Sequence, residues 1–114
     1  MKKKVFISGP MTDMKNYNQQ SFQVAQYWLE SQGYEVRSPA VFPHNWSKFE
    51  DYMTLDLAML EMCDFIFLLP GWTRSAGALM ESNRAIDLEV QELKYDKGIL
   101  DVLQDIYESL RTDN

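Results

Sequence analysis

The 114-residue chain contains a single cysteine, Cys63, so no intramolecular disulfide can form and a reducing, cytoplasmic setting is expected. It contains a single histidine, His44, with no second histidine or cysteine close by, so neither a metal site nor a cofactor is expected. Basic residues are scarce: 11 stand against 17 acidic ones, a formal net charge of −6. Wrapping a nucleic-acid polymer needs a basic footprint to displace counterions, which excludes that partner but leaves a single mononucleotide open. Long apolar runs are absent as well. The longest, Phe65 to Pro70, falls far short of the roughly 20 residues that span a bilayer, so no membrane role is expected. Lys2 to Lys4 lead into only four apolar or small residues before Gly9 and Pro10, which does not read as a signal peptide. With no repeat, linker or low-complexity tract, residues 1–114 are expected to form one domain around one core.

Three short, bulky segments are each followed by turn residues: "KVFIS" before Gly9-Pro10, "YEVRS" before Pro39 and "DFIFLL" before Pro70-Gly71. They read as strands. Between them, Gln19 to Gln32 and Phe49 to Met62 space their apolar residues as helices do. A third helix is expected over Ser75 to Leu88, a weak fourth strand within "LEVQELKY", and an amphipathic closing helix over about 97–111. Alternating strands and helices predict an α/β fold with a mostly parallel sheet, because parallel neighbours need a long connection that a helix supplies. The near-continuous apolar character of the third strand predicts that both its faces are covered.

In open sheets of this kind ligands lie beyond the carboxyl ends of the strands, which directs attention to the loops after Ser8, Ser38 and Leu69. The first, "SGPMTDMKNYN", makes Ser8, Gly9, Pro10 and Met11 candidate substrate contacts, although one glycine is neither a dinucleotide fingerprint nor a Walker loop, and a plain tight turn reads equally well. The second carries Phe42, His44 and Trp46. After the third, Ser75 is placed to cap the following helix, and the same free amides form a seat for phosphate. Trp72 and Trp46 are candidates for stacking on a base, with core or interface packing as the plainer reading.

Two carboxylates stand out. Glu81 lies six residues after Ser75, too far for a capping box, which would need an acid or Gln at 78, where Ala stands. On a helix, Gly77, Ala78, Glu81 and Ala85 share one face, a strip of minimal side chains around one acid. Either the strip leaves room for something, or the acid merely favours the helix dipole. Asp56 lies on a stripe with Tyr52, Leu55, Met59, Leu60 and Cys63, where an apolar residue is expected. It must be paired, face a polar cavity, or sit on an edge turned to solvent. Asp64, at the entrance to the third strand, reads as a turn residue.

"FISGPMT", "GYEVRSPA", "DLAMLEMCDFIFLLPGW" and "SAGALMESNRA" occur in this order over roughly residues 4 to 88, and together they resemble the nucleoside 2-deoxyribosyltransferase-like superfamily, especially its small bacterial and viral branch near the 2′-deoxynucleoside 5′-monophosphate N-hydrolases. The resemblance implies a flavodoxin-like or Rossmann-like three-layer sandwich with four to five strands, and a homodimer or larger homo-oligomer. It also implies cleavage of the base–sugar bond of a deoxynucleoside or its 5′-monophosphate. By that resemblance Glu81 matches the nucleophile that holds the sugar covalently, Asp56 matches the acid that assists the departing base, and Ser75 and Gly77 match the Ser-x-Gly-x-x-x-Glu pattern whose serine contacts the 5′-phosphate. One departure is plain: Phe6 stands where similar enzymes carry a tyrosine that orients the nucleophile, and phenylalanine has no hydroxyl. Tyr17, in the loop after the first strand, is the candidate substitute. The expected activity is therefore N-glycoside cleavage of a deoxynucleoside monophosphate. A non-catalytic nucleotide-binding module is the alternative that Phe6 favours, and an interaction domain without a ligand accounts least well for the two acids.

Overall fold

The computed structural model describes residues 1–112. Four strands, β1 (Lys4–Ser8), β2 (Glu35–Arg37), β3 (Phe65–Leu68) and β4 (Gln91–Glu92), form one sheet in the order β2-β1-β3-β4 with every pair parallel. Four helices connect or follow them: α1 (Gln19–Ser31), α2 (Phe49–Glu61), α3 (Ala76–Leu88) and α4 (Lys97–Leu110). The result is an α/β three-layer sandwich of the flavodoxin-like or Rossmann-like kind. No helix among the described residues is long and apolar enough to cross a membrane.

The period-2 alternation of the central strands builds the two faces. Val5 and Ile7 of β1, with Phe67 and Leu69, pack under α1 and α4 against Phe22, Ala25, Leu29, Ile99 and Leu103. Phe6, Ile66 and Leu68 point the other way, into a smaller cluster with Leu60, Cys63 and Ala85 under α2 and α3. Both faces are thus covered, as the apolar third strand predicts.

Turn chemistry sets the crossings. Gly33, at φ 96°, ends α1 with the Tyr34 amide returning to the Leu29 carbonyl, a left-handed exit that a side chain would strain. Gly71, at φ 85°, turns the chain after β3, and a side chain there would run into the ring of Tyr107 from α4. Near the C-terminus Arg111 bridges Met14, and the Thr112 hydroxyl donates to the Asp13 carbonyl, so the last described residues clasp the loop after β1.

The elements fall within a residue or two of where the sequence puts them, except around the fourth strand. Within "LEVQELKY" the helix α3 runs on through Leu88, Glu89 turns left-handed at φ 60° as its C-cap, and only Gln91 and Glu92 pair with β3. The stripe expected on α2 is also rotated. Met53, Asp56 and Leu60 are its buried residues, whereas Leu55 is exposed. Three short 3-10 turns, Lys15–Asn18, Pro39–Val41 and Trp72–Arg74, were not foreseen.

Candidate functional site

Each helix buries a stripe of three or four residues, and the two pairs of helices differ in what they bury. On α4 the stripe is Ile99, Leu103 and Tyr107, and on α1 it includes Phe22, Ala25 and Leu29. On α2 it is Met53, Asp56 and Leu60, and on α3 Ala78, Glu81 and Ala85, so an acid takes the middle position of both. Because α2 and α3 lie side by side on one face of the sheet, the two acids meet. Only 7% of Asp56 and 3% of Glu81 remain exposed, which rules out both a solvent edge for the first and a merely dipole-stabilised surface acid for the second.

The two carboxyls are within hydrogen-bonding reach of one another. Burial pushes the pKa of Glu81 well above the usual carboxylate range; the hydrogen bond and the charge of Asp56 push it further, and a hydrogen bond from Ser8 opposes them. Burial raises Asp56 as well, against the opposing hydrogen bond to Glu81. Two like charges this close in a dry place do not ionise together, so the pair holds a proton over a pH range in which ordinary carboxylates have lost theirs. Ser8 lies at the end of β1 on the α3 side of the sheet, and its Oγ–H donates to Glu81 Oε1 at 2.6 Å. Asp56 Oδ1 is buried without a hydrogen-bond partner among the described residues. Such an orphan costs about 1–3 kcal/mol and leaves one oxygen ready for a ligand group.

Above the acids opens a cavity of about 530 Å³. Gly9, Pro10 and Met11 form one wall, with Asp13 and Tyr17 further along the same loop. Gly9 is required there by close approach, since a Cβ would stand 2.7 Å from that of Leu69. The loop takes left-handed backbone at Asp13, Asn16, Tyr17 and Asn18. Buried Asn18 holds it, donating to the Pro10 carbonyl at 2.8 Å and accepting from the Ser21 hydroxyl at 2.6 Å. Aromatic side chains also line the cavity. Tyr17 stacks on His44 with ring centroids 4.0 Å apart and planes 7° from parallel, and a 2.9 Å hydrogen bond joins His44 to Gln19. Trp46 lies against Tyr52 at 4.6 Å and donates its backbone N–H to the tyrosine oxygen at 2.8 Å. Flat faces lining the cavity suit a planar ring, worth about 0.5–1.5 kcal/mol for each stacked pair.

The start of α3 lines the same cavity as the acids. Ser75 is its N-cap, accepting from the Ala78 amide at 3.2 Å, and Ser75, Ala76 and Gly77 all line the cavity. First-turn amides and the helix dipole therefore open onto the same space as the carboxyl pair, and helix N-termini of this kind are chemically suited to anions.

Of the residues singled out in the sequence, Gly9, Pro10, Met11, Asp56, Ser75, Gly77 and Glu81 line this cavity, as do His44, Trp46 and Tyr17. Ser8 lies behind the wall, bonded to Glu81, and Trp72 packs against the cluster around Ala85 and Leu68. Sequence reasoning missed Asn18, Tyr52 as a wall residue, and Arg74, which lines the cavity just ahead of the cap. The position of Arg74 beside the cap was the one available signal; the role of Asn18 depends on a contact eight residues back that no pattern announces. Among the described residues no three His, Cys, Asp or Glu side chains gather as a metal ion requires.

No curated protein matches the chain. Residues 3–93 match the profile of a family described as a domain of unknown function (DUF4406), and the chain belongs to that family.

Proposed function

We propose that the protein is an N-glycosidase of the nucleoside 2-deoxyribosyltransferase-like kind, acting on a 2′-deoxynucleoside 5′-monophosphate. The observation that carries this reading is the buried Asp56–Glu81 pair at the floor of a cavity that also receives the first amides of α3. The order of sequence motifs that resemble that superfamily supports it. In this reading the phosphate lies at Ser75, Ala76 and Gly77, the sugar over Glu81, and the base between the aromatic walls.

The pair shares one proton, and the form that reacts is the one with that proton on Asp56 and Glu81 as carboxylate. Glu81 as carboxylate attacks the anomeric carbon; the bond from that carbon to the base nitrogen breaks, its electrons leave with the base, and Asp56 supplies the proton the base takes up. Water then attacks the same carbon, its proton returns to Asp56, and Glu81 departs as carboxylate. Another base can replace water in this second half.

A nucleotide-binding module without turnover is the second reading. Fully buried Phe6 favours it, since it packs with Leu60 and Ala85 and brings no hydroxyl to Glu81.

The test is incubation of purified protein with each deoxynucleoside 5′-monophosphate and chromatography for free base. Release is expected, lost by at least about 10³-fold in Glu81→Ala. In Asp56→Asn the alkaline fall of the rate, which reports loss of the acid's proton, is expected to disappear along with most of the activity. Intact nucleotide retained without release would replace the enzyme by the binding module, and neither release nor retention would end both readings.

A further inference from the structure

Ser8 has no exposed surface and does not line the cavity, whose wall begins at Gly9. Its backbone carbonyl is taken by the Leu69 amide at 2.8 Å, and its hydroxyl donates to Glu81 Oε1 at 2.6 Å. Of the β1 residues on this side of the sheet, Phe6 is committed to the apolar cluster with Leu60 and Ala85, and only Ser8 carries a hydroxyl. With its hydroxyl engaged by Glu81, this serine meets the cavity through the carboxyl it holds.

We propose that Ser8 is the positioning residue of Glu81, fixing Oε1 against the end of β1 so that Oε2 faces the reacting carbon. The proposal rests on the reading of Glu81 as nucleophile and deepens it. A glutamate has three rotatable side-chain bonds, and attack requires one oxygen in one orientation; anchoring the other oxygen to a strand removes most of that freedom. The same bond serves both halves of the reaction. When the bond from Oε2 to the sugar forms as the bond to the base breaks, Oε1 becomes the carbonyl oxygen of an ester, still held by Ser8. When water displaces the ester, the returning charge meets a donor already in place. Asp56 from α2 shares a hydrogen bond with this carboxyl, and Asp13, Tyr17, His44, Tyr52 and Arg74 line its cavity; among the described residues Ser8 is the hydroxyl hydrogen-bonded to Glu81.

The test compares wild type, Ser8→Ala and Ser8→Thr for base release across pH, with Glu81 also titrated by carbon NMR of its carboxyl. Ser8→Ala is expected to lower kcat by about 10- to 100-fold with KM changed less than about threefold, and to move the acid limb of the profile and the Glu81 titration to higher pH. Ser8→Thr, which keeps the hydroxyl, is expected to recover most of the loss. A rise in KM with kcat intact would make Ser8 a substrate contact and overturn the proposal, as would unchanged kcat and an unmoved titration. If wild type releases no base, the glycosidase reading fails by itself. The titration then decides alone: an upward shift in Ser8→Ala sustains Ser8 as the residue that holds this carboxylate, and no shift rejects it.

Discussion

A carboxylic acid with 3% of its surface exposed, resting on a second acid, is a destabilising choice that apolar residues of similar size would not be. The pKa of Glu81 is raised on folding, so the folded state keeps a proton that the unfolded chain gives up. Stability from this group is therefore full below the ordinary carboxylate pKa and is lost as pH rises toward the folded value. Glu81→Gln keeps the shape, still accepts from Ser8 and can donate to Asp56. It is expected to stabilise the protein at pH 7 by about 1–2 kcal/mol, a gain that shrinks toward pH 4, while abolishing base release. Thermal melts of both proteins from pH 4 to 8 check this; a gain independent of pH would mean that the proton is not what differs. Cys63 shows the contrast at the same scale. Burial pushes its thiol up to about 11, partly offset by Arg37 and Lys4, and it packs in the apolar cluster with no part in the cavity.

At the scale of the element, α3 carries its first-turn amides and a buried acid along one cavity, with Gly77 between them. A Cβ on Gly77 would lie 3.5 Å from Met53 Sδ and 3.7 Å from the Phe49 ring, ordinary contacts that packing tolerates. The glycine is therefore not demanded by the neighbouring helix. Gly77→Ala is expected to leave stability unchanged or raise it by up to about 1 kcal/mol through helix propensity. It is also expected to weaken binding of a deoxynucleoside monophosphate by about tenfold, because the methyl enters the cavity beside the amides. Calorimetric titration together with a melt separates the two effects, and undiminished affinity would remove the phosphate from this turn. The strip Gly77, Ala78, Glu81 and Ala85 was readable from helical spacing alone, because 3.6 residues per turn fixes which side chains share a face. That Met53 and Phe49 roof it was not readable, since spacing within one helix carries no information about its neighbour.

At the scale of the molecule, the family match ends at residue 93, yet α4 covers half of one sheet face and its end clasps the loop that walls the cavity. Leu103 has no exposed surface and sits among Val5, Phe22 and Phe67. Leu103→Ala is expected to cost about 2–5 kcal/mol, read from denaturant midpoints at unchanged slope. If α4 positions the loop through the Met14–Arg111 bridge, ligand affinity falls in the same variant well below its unfolding midpoint. A loss under about 1 kcal/mol would mean that the helix is only loosely attached.

What the sequence determined by itself follows from short-range rules. Strands and helices were legible because apolar spacing distinguishes period 2 from period 3.6, and β4 was located but not delimited, because a helix end and a two-residue strand share one polar stretch. The two acids were conspicuous because each interrupts an apolar or minimal stripe. Only tertiary structure decided that Asp56 and Glu81 touch, that the Ser8 hydroxyl turns to Glu81, and that Tyr17 stacks on His44 beside the cavity. Those contacts join residues 25, 27 and 73 positions apart or lying on different helices, and their geometry is set by how layers pack on the sheet, which no local pattern encodes.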